Sequence, residues 1–69
     1  MDFTDRQTDI INIILSKEKA NLSEIRSLLT ENISIPTLNR ELDKLIYHKI
    51  IQKIGRGRTK AYALSPMNN

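Results

Sequence analysis

The sequence predicts a mainly α-helical domain, three helices followed by a small β-hairpin, and three observations carry that prediction. Helix-start signatures precede three apolar segments, the hydrophobic period changes from 3.6 to 2 after the third, and two glycines interrupt the period-2 region where a hairpin must turn. A chain of 69 residues has room for one domain, and such a domain buries only roughly 60% of the surface its unfolded chain exposes. With no cysteine, neither disulfides nor thiolate zinc sites can reinforce it, so apolar packing by isoleucine and leucine must. Residues 1–64 are expected to form the domain, and residues 65–69, which lack periodicity, a polar tail or the start of a linker.

Thr4-Asp5-Arg6-Gln7 has the form of a capping box, with Phe3 placed to staple it, and predicts a helix from Asp5 to about Ser16. Ile10, Ile11, Ile14 and Leu15 make the expected buried stripe, and Phe3 and Tyr62 are expected to fill the core. Lys17-Glu18-Lys19 reads as a polar connector. A second box, Asn21-Leu22-Ser23-Glu24, starts a shorter helix to Leu29 or Thr30 with Leu22, Ile25, Leu28 and Leu29 on one face. Glu31-Asn32-Ile33 then forms a turn of about three to four residues, with Asn32 suited to the left-handed conformation that ends helices.

Ser34 caps a third helix, Pro36 fits its first turn, and Leu38, Leu42 and Leu45 face inward up to Tyr47 or His48. Residues 50–54 and 60–64 alternate as two strands around Gly55-Arg56-Gly57-Arg58-Thr59, a tip in which glycine supplies positive φ.

Charge divides the chain. Residues 1–34 hold four basic and six acidic side chains, a net −2, whereas residues 35–69 hold seven basic and two acidic, a net +5. A polyanion facing the second half accounts for this division, and so does a solvated basic face. No apolar run reaches the roughly 18 residues of a membrane span, and the N-terminus lacks the basic-then-apolar order of a signal peptide, so the default compartment is the cytoplasm.

Two helices joined by a short turn cross steeply, leaving the second as a ridge that fits a DNA major groove. At about 100° per residue, inward Leu38, Leu42 and Leu45 put Pro36, Arg40, Asp43 and Tyr47 on the far side, flanked by Thr37, Asn39 and Lys44. Asn39 suits adenine, Arg40 suits guanine or a phosphate, and Ser34 and Thr37 can donate to phosphates, aided by free N–H groups at the helix start. Tyr47 suits either DNA sugar-phosphate or a partner protein. Arg56, Arg58 and Lys60 alternate at the hairpin tip and would extend one way, toward phosphates or a narrow minor groove. A tip kept basic for solubility is the plainer alternative.

His48 is the only histidine and fits a helix C-terminal role better than a metal site. The sequence contains no convincing catalytic set, and Gly55-Arg56-Gly57 lies between strands, outside the context of a nucleotide-binding loop. The chain is therefore expected not to be an enzyme and to need no metal or cofactor.

Leu22-Ser23-Glu24-Ile25, then residues 34–45 from Ser34-Ile35-Pro36-Thr37 onward, then Ile54-Gly55-Arg56-Gly57-Arg58 and Tyr62-Ala63-Leu64 together resemble the winged helix-turn-helix pattern of bacterial and archaeal transcription regulators. The resemblance spans about Thr4 to Leu64. It implies sequence-specific binding of double-stranded DNA, with the recognition helix at 35–48 in the major groove and the wing at 55–60 on the minor groove or phosphates. It makes Ser34, Thr37 and Arg40 contacts of the helix and Arg56 and Arg58 contacts of the wing. One departure is that His48-Lys49 stands where the family usually has glycine, so one of these two must adopt the left-handed conformation.

Gly55 to Leu64, followed by Ser65-Pro66, also resembles winged-helix modules attached to Fic-type adenylyltransferases. The alternative function is accordingly a protein-docking or dimerisation module using Tyr47, Ile35 and the sheet face. The partners in view are double-stranded DNA, a second copy of the chain, or a further domain after residue 69, with no membrane.

Overall fold

The computed structural model describes residues 2–66. Residues 67–69, the end of the expected tail, lie outside them, as does Met1. The element order is α1 (Asp5–Lys17), β1 (Lys19–Ala20), α2 (Leu22–Leu28), α3 (Ile35–Tyr47), β2 (Ile51–Ile54), a single 3-10 turn (Gly57–Thr59) and β3 (Ala61–Leu64). This is a mainly α three-helix domain with a small β wing, as expected. No described helix is long and apolar enough to cross a membrane.

Both capping boxes form. Thr4 Oγ1 accepts from Gln7 N at 3.1 Å while Gln7 Oε1 accepts from Thr4 N at 3.1 Å. Asn21 Oδ1 accepts from Glu24 N at 2.8 Å and Glu24 Oε1 from Asn21 N at 2.9 Å. Each box satisfies two backbone donors that a helix start would otherwise leave unpaired.

The core gathers Ile10, Ile13, Ile14, Ile25, Ile33, Leu38, Leu42, Leu45, Ile51 and Tyr62. Leu38, Leu42 and Leu45 face inward as their spacing predicts. On α1 the stripe is rotated from its expected position: Ile13 is buried, Ile11 lies at the edge, and Leu15 is 58% exposed. Apolar residues cover more than half of this helix's circumference, so periodicity alone does not select the inner side. Gln7 is buried on the same helix as Ile10, Ile13 and Ile14; its side chain closes the capping box and donates through Nε2 to Glu41 Oε1 at 3.2 Å, tying α1 to α3. Phe3 is also corrected, since at 39% exposure it lies at the surface while Tyr62 fills the core.

The turn between α2 and α3 is longer than expected. Leu29 already leaves the helix in an extended conformation, and Asn32 does not have positive φ. Asp9 Oδ2 on α1 accepts from the backbone N and the hydroxyl of Thr30 at 3.0 and 3.1 Å, holding that residue away from a continued helix. Arg26 Nε donates to the Ile33 carbonyl at 3.1 Å, and Arg6 Nε meets Glu31 Oε1 at 2.6 Å. The connection is longer but braced from both preceding helices.

Lys17-Glu18-Lys19 proves to be more than a connector. Glu18 takes φ 67° and ψ −44°, a γ-turn-like conformation that reverses the chain at the end of α1. Lys19 and Ala20 then pair with Ala63 and Tyr62, giving an antiparallel sheet in the order β1-β3-β2. At the exit of α3, Lys49 adopts φ 63°, so of His48 and Lys49 it is Lys49 that takes the left-handed conformation. This turn brings Ile50 N to the Leu45 carbonyl at 2.9 Å and lets β2 run back against α3.

Candidate nucleic-acid interface

The third helix presents its expected residues to solvent. Pro36, Asn39, Arg40, Asp43, Lys44 and Tyr47 are exposed and Thr37 is half-buried. Tyr47 is 81% exposed, with its ring edge-on to that of His48 at 5.2 Å. At the start of the helix, the Ser34 hydroxyl donates to Thr37 Oγ1 at 2.9 Å and accepts from Thr37 N at 3.3 Å. That geometry leaves the Thr37 hydroxyl hydrogen available to an outside acceptor such as a phosphate oxygen.

The supply of free backbone donors at this helix start is smaller than expected. Pro36 has no N–H, Ser34 caps Thr37 N, and Leu38 N donates to the Ser34 carbonyl at 2.9 Å. Only the Ile35 N–H has no partner among the described residues, so the dipole and the hydroxyls carry the anion preference of this end.

Electrostatics separates the two halves of the chain more sharply than the sequence alone indicates. The Arg6 guanidinium, held above its ordinary pKa chiefly by its hydrogen bond to Glu31, also reaches Glu41 at 3.5 Å. Glu41 is one of only two acids in the second half, and its side chain is 12% exposed. Among the described residues, none of Arg40, Lys44, Lys49, Lys53, Arg56, Arg58 and Lys60 joins an ion pair. The remaining acid is Asp43: burial pushes the Tyr62 phenol up and the Asp43 carboxylate adds to the shift.

The wing tip is closed by its own hydrogen bonds. Thr59 Oγ1 donates to the Arg56 carbonyl at 2.8 Å and accepts from Arg56 N at 3.3 Å, closing the tip across the 3-10 turn. Gly55 has φ 79°, and a Cβ there would sit 2.7 Å from the Thr59 carbonyl oxygen, so both its conformation and the available space call for glycine. Within the tip, residues 57–59 form a 3-10 turn. Arg58 and Lys60 line a cleft on the β1 side with Lys17 and Lys19.

Lys53 is a candidate that the sequence reading did not single out. It pairs with Tyr62 across β2 and β3 and so shares the sheet face of Ile51 and Tyr62. With Lys49 it lines an open groove beside Ile46 of α3. The parity of Lys53 with Ile51 was the available signal. Cations thus occur on α3 (Arg40, Lys44), in the groove between α3 and β2 (Lys49, Lys53) and around the wing (Arg56, Arg58, Lys60). Comparison with protein-family models and with curated proteins finds no match to the chain, so the functional reading rests on these residues.

Proposed function

We propose that the chain binds double-stranded DNA in a sequence-specific manner, as a transcription regulator or a module of one, and is not itself an enzyme. The observation that carries this reading is the run of seven cations on α3, its exit and the wing without an intramolecular carboxylate partner, while Arg6 engages Glu41 from the other half. Unpaired cations concentrated in one half of the chain repel one another, and a phosphate backbone relieves that repulsion with release of its counterions. In this reading α3 enters the major groove, with Asn39 and Arg40 directed to base edges and Ser34, Thr37 and Lys44 to the backbone. The wing follows the minor groove or the flanking phosphates. The site of action is the cytoplasm, and a second copy or a further domain adds contact area.

The test is a titration of a fluorescently labelled duplex followed by anisotropy. If six of the seven cations neutralise phosphates, log K falls against log salt with a slope of about −5, so affinity drops about a thousandfold between about 50 and about 200 mM salt. Binding that ignores salt, or no binding, contradicts the reading and favours a docking module.

A further inference from the structure

We propose that the cleft between the α1–α2 junction and the base of the wing is a second phosphate site, through which Lys19 and Lys60 hold the nucleic-acid backbone independently of sequence. This rests on the duplex-binding reading and extends it to the β1 side of the wing, which α3 does not occupy.

The cleft has a volume of about 400 Å³, and its charged lining consists of Lys17, Lys19, Arg58 and Lys60 against Glu24 alone. That one acid is already engaged: Glu24 Oε1 accepts from Asn21 N at 2.9 Å, and Oε2 lies 3.8 Å from Lys17 Nζ. Among the described residues Lys19, Arg58 and Lys60 have no carboxylate within ion-pair distance. Three uncompensated cations are therefore brought to one opening by segments far apart in the chain. The strained turn at Glu18 and the pairing of Lys19 with Ala63 bring the α1–α2 junction beside the wing.

The occupant follows from the lining. Lys19 and Arg58 are exposed, so a small free anion would gain little from cations so well screened by water. A polyanion gains from each such contact through counterion release. No aromatic side chain borders the cleft, so bases have nothing to stack on and the contact is to phosphate.

The experiment compares the full chain with Lys19→Ala, Lys60→Ala and the double variant on a preferred and a random duplex across a salt series. Each single change is expected to make the slope of log K against log salt shallower by about 0.9, and the double change by about 1.8, with equal loss on both duplexes. Melting followed by circular dichroism should leave the variants' stability unchanged, since neither side chain makes a hydrogen bond or ion pair among the described residues. An unaltered slope for Lys19→Ala, with the double variant no different from Lys60→Ala and Arg40→Ala still weakening binding, would overturn the cleft and leave the main interface standing. A wild-type chain that binds neither duplex would overturn both.

Discussion

Leu42→Ala is expected to destabilise the domain by about 2–5 kcal/mol, the range for emptying a buried leucine site. Leu42 is fully buried, on the same inner stripe of α3 as Leu38 and Leu45. Domains are stable by roughly 0.05–0.15 kcal/mol per residue, so for a chain of 69 residues the loss is comparable to the whole. Thermal melting should register a drop of more than about 10 °C. The companion substitution Leu15→Ala should change stability by no more than about 0.5 kcal/mol, because that side chain is 58% exposed. Equal losses at the two positions would contradict the rotated packing of α1 and support the stripe expected from spacing.

Arg40→Ala is expected to lower affinity for a preferred duplex by about 1–3 kcal/mol, a factor of roughly 5 to 150, and to relax the preference at one base position. The residue lies at the middle of the exposed stripe of α3 and has no carboxylate partner among the described residues. Arg58→Ala should behave differently. If the proposed reading holds and it meets phosphate at the wing tip, its loss should weaken binding to all duplexes alike and make the salt slope shallower by about 0.9. Selection of a preferred duplex from a random pool, followed by titration of both variants, makes the comparison. If Arg40→Ala loses equally on preferred and random DNA, its role is to hold backbone, not to read bases.

Features decided within a few residues could be read directly from the sequence. Thr4 with Gln7, Asn21 with Glu24, and Ser34 with Pro36 mark the helix starts because capping is local chemistry, and the inner stripe of α3 follows from a helix that is apolar on one side only. Lys49 was one of two residues at a junction where the chain must turn with positive φ, and it is the one that does.

What escaped depends on residues distant in sequence. Asp9 holds Thr30 in the turn before α3, and the inner side of α1 is set by its packing against elements distant in sequence. β1 consists of two residues whose strand character exists only through Ala63 and Tyr62. The same pairing takes Lys19 out of an apparent connector and places it beside Lys60 in a cleft that no local pattern announces. At the wing tip, the two glycines mark the turn, but the 3-10 turn that Thr59 closes onto Arg56 has no separate signature.

The most direct measurement of the interface is the change in backbone amide NMR signals as duplex DNA is added to the isotope-labelled chain. Shifts concentrated at Ser34 to Tyr47 and at Gly55 to Lys60 are the predicted result. Shifts absent there and confined to the exposed apolar side chains of α1 and α2, around Leu15 and Leu28, would contradict it.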